Sequence, residues 1–229
     1  MTSRRQFLSA IPVFALTGAA CGSRQSADEV RESVGPPPKP ATPDDAVTVL
    51  TEGNARFAAA TPQVRETADI DLLWSTGIDH KQEPFATILG CADSRLAPEI
   101  IFDQFVGDIF VVREAGNIAV SPTNLGSLEY GQAVLKSKVL VVLGHSDCGA
   151  VNTAYKNSQP GANIQSIIDV IKPGIAGATS LEDAIVRNVG AVKDRIRKDS
   201  KLLRGAEQSG DFKIVGAHYD IRSATVRFL

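Results

Sequence analysis

The sequence predicts an α/β domain with a central, mostly parallel sheet, flanking helices and a short C-terminal edge strand. Four apolar, β-rich runs recur at residues 85–89, 109–112, 139–143 and 212–215. Segments of helical composition separate these runs, which is typical of a parallel sheet with buried strands. The last six residues, 224–229, alternate enough to predict an edge strand within the fold.

Length and composition indicate one folded domain of ordinary type. The 229 residues suffice for a full hydrophobic core, and 43% hydrophobic with 22% charged residues is usual for a globular protein. The net charge of −2 lacks the basic excess that phosphate backbones demand. We therefore expect no nucleic-acid partner.

Residues 1–21 have the features of an export signal. Arg4 and Arg5 precede an uncharged apolar stretch, 7–20, that ends in small residues and is short for a permanent membrane span. This order resembles a twin-arginine signal, although a chance arginine pair in a disordered N-terminus would look similar. We expect an exported protein of the periplasm or cell envelope.

Cys21 follows the apolar stretch in an order that resembles a lipoprotein site. Such sites usually carry leucine three residues before the cysteine, where this chain has Gly18. Lipidation of Cys21 and ordinary cleavage near Ala20 or Cys21 therefore both stay open. A lipid anchor at Cys21 is the only membrane contact that we expect.

Residues 22–43 predict a disordered linker, and the catalytic domain is expected to span 44–229. The linker is rich in polar residues and in proline at 36–40, so it cannot bury a core. At Pro43-Asp44-Asp45 an acidic N-cap candidate opens a first helix.

Cys91 and Cys148, the only cysteines outside the signal segment, each follow a predicted buried strand. Ligands of open α/β sheets collect at the carboxyl ends of the strands. His145 lies three residues before Cys148, so both side chains can reach one ion. Two thiolates and one imidazole suit zinc, and three protein ligands leave a fourth position for water.

Two other readings of these three residues stay open on spacing alone. One is a disulfide with a histidine packed in the core, and the other is a closed structural zinc site. Twin-arginine export favours a metal, because a protein that folds before export can load zinc in the reducing cytosol.

Two segments resemble the signatures of β-class carbonic anhydrases. Cys91-Ala92-Asp93-Ser94-Arg95 is similar to the C-x-D-S-R signature, and residues 144–149 resemble G-H-S-x-C-G. The similarity continues through residues 52–57, 107–113 and 215–220. It implies the β-carbonic anhydrase fold and reversible hydration of CO₂ to bicarbonate and a proton by zinc-bound hydroxide.

The resemblance implies one catalytic Zn²⁺ per chain, held by Cys91, His145 and Cys148. Two thiolates cancel the charge of the ion, so neighbouring groups must help to supply the nucleophile near neutral pH. We expect Asp93 to accept a hydrogen bond from that nucleophile and Arg95 to keep Asp93 charged. Without the metal, this pair would read as an ordinary salt bridge.

Position by position, the resemblance also implies four substrate-binding residues. Gln82 would bind substrate oxygen, Phe110 and Tyr130 would line the CO₂ site, and Gly149 matches the glycine after the second cysteine. Without the resemblance, Gln82 would be a polar loop residue, Phe110 a core residue and Tyr130 a helix-face residue. Ala115 replaces a more usual valine, which widens the apolar wall and leaves substrate preference open.

In a second variant of the family, the counterpart of Asp93 is a fourth zinc ligand in a closed resting state. The residues at 82, 110 and 130 favour the open form. The family places its site at a dimer interface, so a homodimer or a higher even oligomer is expected.

The rivals are a CS₂ or COS hydrolase on the same scaffold and a non-catalytic zinc- or bicarbonate-binding protein. His80 and His218 could relay protons, but lone histidines more often lie on the surface or pack in the core.

Overall fold

A five-stranded sheet organises residues 39–63 and 81–229, which are the residues that this computed structural model describes. The strands are β1 Ala86–Gly90, β2 Ile109–Arg113, β3 Val139–His145, β4 Lys213–Asp220 and β5 Thr225–Phe228. Their order in the sheet is β2-β1-β3-β4-β5, with β5 antiparallel to β4 and all other pairs parallel. The predicted fold class, including the C-terminal edge strand, is confirmed.

Helices precede the first strand and fill the connections between the parallel strands of the described residues. They are α1 Pro43–Ala58, α2 Pro98–Ile101, α3 Pro122–Ala133, α4 Gly149–Tyr155, α5 Ala162–Gly174, α6 Leu181–Asp199 and α7 Lys201–Ser209. Helix α6 packs along β3 and β4, α3 packs against β1 and β2, and α1 contacts β5. Among these helices, none has the length and apolar character needed to cross a membrane.

The burial of the strands explains the hydrophobic pattern of the sequence. Every residue of β1 and of β3 is buried, because these strands occupy the middle of the sheet with neighbours on both sides. Such strands read as continuous apolar runs. Strand β2 is only partly buried, and β5 alternates exposed and half-buried residues, as edge strands do.

The first helix begins at Pro43, two residues earlier than an N-cap at Asp44 would require. Thr42 is the N-cap, and its hydroxyl accepts a hydrogen bond from the Asp45 N–H at 3.1 Å. The Asp45 carboxylate in turn accepts from the Thr42 N–H at 3.1 Å, which completes a capping box. The prediction of an acidic N-cap is therefore wrong, because Pro43 occupies the first helical turn, where its missing N–H costs nothing.

Asn54 ties α1 to two distant parts of the fold. Its buried side-chain amide donates to the carbonyl oxygens of Ile101 and Ala224, each at 3.0 Å, and its Oδ1 accepts from the Val226 N–H at 2.7 Å. These bonds join the helix to the end of α2 and to β5. The predicted signal, residues 1–21, and most of the predicted linker lie outside the described residues.

Candidate metal centre

The carboxyl ends of β1 and β3, which are adjacent strands, bring three side chains together. Cys91 follows β1 directly, and His145 is the last residue of β3. Asp147 then adopts a left-handed conformation with φ of 55°, which Asp tolerates better than most residues. This turn returns the chain so that Cys148 stands at the N-terminus of α4.

The candidate metal-binding group consists of Cys91, His145 and Cys148. One ligand atom from each residue lies within 4.8 Å of the other two, and all three residues are buried. Both cysteines are free thiols. The structure therefore favours a metal site over a disulfide.

His145 presents one nitrogen to this group. Its Nδ1 is 2.9 Å from the Ser146 carbonyl oxygen and donates to it, so the proton of the neutral ring lies on Nδ1. Its Nε2 is buried with no hydrogen-bond partner among the described residues. A buried acceptor without a partner costs about 1–3 kcal/mol. A metal ion would satisfy it, and one imidazole with two sulfurs is a donor set that fits Zn²⁺.

The two thiols differ strongly in acidity. The Cys148 thiol donates a hydrogen bond that lowers the pKa of Cys91 to about 4, and the hydrogen bond from the Gly116 N–H adds to that shift. The same hydrogen bond raises the pKa of Cys148, because its proton is held between the two sulfurs. A cation bound here would take the place of that proton.

Asp93 and Arg95 form a two-pronged ion pair beside the three ligands. Arg95 Nε donates to Asp93 Oδ1 at 2.9 Å, and Nη2 donates to Oδ2 at 2.7 Å. These bonds hold the pKa of Asp93 well below its usual range. The carboxylate is bound by Arg95 and is not part of the three-ligand group.

Arg113, the last residue of β2, holds the loop that carries Cys91 and Asp93. Its Nε donates to the Cys91 carbonyl oxygen at 3.0 Å, and its Nη2 donates to the Asp93 carbonyl oxygen at 2.5 Å. In the sequence, Arg113 lies in a segment similar to the β-class family, 107–113, but no role was predicted for it. Its position at the carboxyl end of a strand was the available signal.

The predicted substrate residues divide into two groups. Gly149 adjoins Cys148, and a β-carbon added there would meet open space. Gln82 is exposed and precedes β1, at the opposite end of that strand from Cys91. Five residues of strand span about 16 Å, so Gln82 lies far from the metal-binding group of its own chain.

Phe110 and Tyr130 are close to each other and remote from the ligands. Their ring centroids are 6.2 Å apart. Phe110, on the edge strand β2, pairs with Thr87 near the start of β1, whereas Cys91 follows the end of β1. Tyr130 is 45% exposed on α3. Within one chain, the structure brings neither ring to the metal-binding group.

A cavity of about 640 Å³ borders the same loop but is not lined by the three ligands. His218, Glu182 and Asp220 are among its lining residues. His218 is buried with Nε2 3.0 Å from Glu182 Oε1, and burial lowers its pKa. We place the functional site at the Cys–His–Cys group because, within residues 39–63 and 81–229, it is the one group with a metal-ligand donor set. His80 lies outside the described residues.

The fold and the site together define an α/β protein with a buried cysteine–histidine–cysteine group, which could hold a metal ion, at the carboxyl edge of a mostly parallel sheet. The sequence model of the family described as carbonic anhydrase matches residues 86–226. Over 181 residues the chain is 37% identical to carbonic anhydrase 2 of Mycobacterium tuberculosis, covering 75% of this chain and 86% of that protein. The chain belongs to the β class of the carbonic anhydrase family.

Other relatives and solved structures agree. The carbonic anhydrase of Mycolicibacterium smegmatis is 34% identical over 192 residues, which cover 77% of this chain and 88% of the relative. Among solved structures, the β-carbonic anhydrase CafA of Aspergillus fumigatus superposes with a TM-score of 0.63 at 22% identity, over 80% of this chain and 90% of that one. Tetrameric β-carbonic anhydrases of Sordaria macrospora give 0.62 at 22%, over 81% and 97%. At this identity the superpositions show the fold.

Proposed function

We propose that this chain catalyses the zinc-dependent, reversible hydration of CO₂ to bicarbonate and a proton. One observation carries the proposal: Cys91, His145 and Cys148 form a buried ligand set beside the ion pair of Asp93 and Arg95. A structural zinc site would have no need of a charged carboxylate held at its side. Membership of the carbonic anhydrase family supports the same reaction.

Cys91, His145 and Cys148 would hold the Zn²⁺. The ion would supply Lewis-acid chemistry, lowering the pKa of water so that a nucleophile is available near neutral pH. The Nδ1 bond of His145 to the Ser146 carbonyl fixes the ring so that Nε2 stays aimed at the ion. Arg113 fixes the backbone at Cys91 and Asp93, so that ligand and carboxylate keep their relative positions.

Asp93 orients the attacking oxygen. Its ionised carboxylate accepts a hydrogen bond from the nucleophile and turns a lone pair of that oxygen toward the carbon of CO₂. A C–O bond then forms, the electron pair of one C=O bond moves to its oxygen, and the proton removed from water passes to solvent. Arg95 keeps Asp93 ionised, because it binds both carboxylate oxygens.

Stopped-flow CO₂ hydration on the purified chain tests this proposal, with zinc content measured on the same sample. We expect one zinc per chain and hydration that rises from neutral to alkaline pH. Absence of hydration at full zinc occupancy across that range would contradict the proposal.

We further propose that a second copy of this chain completes each active site. Gln82, Phe110 and Tyr130 lie far from the ligands of their own chain, as described above. Tyr130 is exposed, as are the apolar residues Val106 and Val134. In a dimer these residues would reach the partner's site, which agrees with the homodimer or higher even oligomer expected from the family.

We also propose that residues 1–21 direct twin-arginine export to the periplasm or cell envelope. The arginine pair followed by the uncharged stretch supports this proposal. Replacing Arg4 and Arg5 with lysine should retain the protein in the cytoplasm, as cell fractionation would show. Palmitate labelling that is lost in Cys21→Ser would establish lipidation, and an unlabelled exported wild type would establish ordinary cleavage.

A further inference from the structure

One buried side chain outside the ligand set is linked to a ligand sulfur through a single residue. Asn188, on α6, is 2% exposed, and its Nδ2 donates to the Gly116 carbonyl oxygen at 2.9 Å. The N–H of the same glycine donates to Cys91 Sγ at 3.3 Å. Asn188 therefore connects a helix that packs along β3 and β4 to one thiolate of the metal centre.

Gly116 occupies a position that only glycine fits. Its φ is 71°, in the left-handed region, within the short 3-10 segment Ala115–Asn117. A β-carbon there would lie 2.7 Å from Ile171 Cδ1 and 3.3 Å from Ala150 Cβ. A flexible residue in such a turn needs partners to hold its orientation, and Asn188 supplies the partner for its carbonyl group.

The chemical consequence concerns the charge on the sulfur. An N–H donor draws electron density from a thiolate, which reduces how far that thiolate neutralises a bound metal ion. Two thiolates cancel the formal charge of Zn²⁺, so a donor aimed at one of them leaves more positive charge on the ion.

We propose that Asn188 is a positioning residue of the metal centre. It fixes Gly116 so that the Gly116 N–H stays on Cys91 Sγ, and in this way it sets both the placement and the charge of that ligand. The inference rests on the proposed zinc site and adds to it a residue that touches neither metal nor substrate.

The decisive variant is Asn188→Asp, which keeps the size of the side chain and replaces the donor. A carboxylate oxygen facing the Gly116 carbonyl oxygen would repel it and turn the glycine away from Cys91. Ile196→Val is the matched control, since it perturbs the buried face of the same helix two turns further along.

The test uses the full chain loaded with Co²⁺ for spectroscopy and with Zn²⁺ for competition against a chelator. In Asn188→Asp we expect zinc to bind about tenfold more weakly. The thiolate-to-Co²⁺ charge-transfer band should move to longer wavelength, because a sulfur without its N–H donor gives up electrons more easily. Ile196→Val should leave the band in place and zinc affinity within about twofold.

An unchanged band and an unchanged zinc affinity in folded Asn188→Asp would overturn the inference. Should that variant not fold, Asn188→Ala removes the donor without adding charge and is judged by the same two measurements. A wild type that binds neither ion would refute the metal site itself. Failure of the role of Asn188 is therefore distinguishable from failure of the metal site, because only the former leaves a wild type that binds metal normally.

Discussion

Arg95 donates a hydrogen bond to each carboxylate oxygen of Asp93, from Nε to Oδ1 at 2.9 Å and from Nη2 to Oδ2 at 2.7 Å. The Arg95 N–H adds a third bond to Oδ1 at 2.9 Å. Three donors on one carboxylate keep it ionised and fix its orientation, while the three metal ligands stay separate from it. This arrangement separates the roles of binding the metal and orienting the nucleophile, which makes each role testable alone.

Asp93→Asn should keep zinc and lose most of the hydration activity. The amide has nearly the same shape, but it loses the charge that accepts the hydrogen bond of the nucleophile. We expect kcat/KM to fall by about 10²-fold or more, measured by stopped flow with zinc content on the same sample. Asp194→Asn, on the exposed face of α6, is the control and should retain activity. Full activity in Asp93→Asn would contradict the assigned role.

Cys91→Ser should lose zinc and CO₂ hydration together. A serine hydroxyl is a poor zinc ligand, and the remaining His145 and Cys148 cannot hold the ion alone. Elemental analysis and stopped flow on one preparation check this. Cys21→Ser, which changes the third cysteine of the chain, should keep both properties. Normal hydration in purified Cys91→Ser protein would rule out the proposed centre.

Mixing two inactive variants should restore activity if Tyr130 serves the partner's site. Cys91→Ser lacks a metal centre but offers an intact Tyr130, and Tyr130→Ala offers an intact metal centre. In an equal mixture about half of the dimers contain one copy of each variant, and one of the two sites in such a dimer is complete. About a quarter of all sites should therefore be active. The measurement is stopped-flow hydration after co-refolding, with each variant alone as the control. No recovery in mixed dimers, verified by differently tagged subunits, would place Tyr130 outside the partner's site.

Gly53→Ala should destabilise the fold, because α1 approaches another backbone at this residue. A β-carbon at Gly53 would lie 1.9 Å from the Phe102 carbonyl oxygen, so the two segments would have to separate. We expect a loss of about 3 kcal/mol in the free energy of unfolding, measured by urea denaturation at fixed protein concentration.

Gly205→Ala is the control for this experiment. A β-carbon at Gly205 meets nothing within 4 Å, and the residue lies inside α7. Alanine should therefore raise stability by about 0.5–1 kcal/mol through helix propensity. Equal effects of the two substitutions would mean that the contact at Phe102 does not matter.

Stability should depend on pH through Glu207. Its carboxylate accepts two hydrogen bonds from Arg197, at 2.8 and 2.9 Å, and one from the Ile214 N–H at 3.1 Å. The Arg197 bonds lower the pKa of Glu207 from its ordinary 4.5. A lowered pKa in the folded state means that the stabilisation is complete above that ordinary value and is lost as pH falls through the folded value.

Glu207→Gln should therefore cost about 1 kcal/mol at neutral pH, with a smaller difference from wild type in acid. Urea denaturation at several pH values measures this, with Glu52→Gln on the exposed face of α1 as the control. A difference from wild type that is constant from neutral to acidic pH would exclude the ionised carboxylate as its source.

The sequence predicted the parts of this molecule whose signals are local. Strands β1 and β3 are buried throughout, so they appear as uninterrupted apolar runs. The ligand Cys91 follows β1 directly, and Cys148 lies three residues after the end of β3. The N-cap of α1 was wrongly assigned to an acidic residue, because the true cap, Thr42, lies one residue before the segment Pro43-Asp44-Asp45 on which the prediction was based. The position of Gly149 beside the ligand set could be predicted, because Gly149 directly follows Cys148 in the sequence.

Other features depend on contacts between distant positions, for which a single sequence has no local signal. Asn188 belongs to no motif of the sequence, yet its side chain is buried and donates a hydrogen bond to the Gly116 carbonyl oxygen. Gly53 and Asn54 lie within a segment that resembled the family. The need for glycine at position 53 comes from the close approach of Phe102, and the role of Asn54 comes from its hydrogen bond with Val226, and both partners are distant in the sequence. Such roles follow only from how the elements pack.

The adjacency of β1 and β3 gives the ligand set a meaning for folding. Cys91 is held in place by one strand and His145 by the other, and their register is fixed by pairs such as Gly90 with Leu143. A slip of one residue would turn a ligand to the opposite face of the sheet. Binding of a metal ion would therefore stabilise the correct strand pairing selectively, because only chains with the correct alignment offer three donors at once.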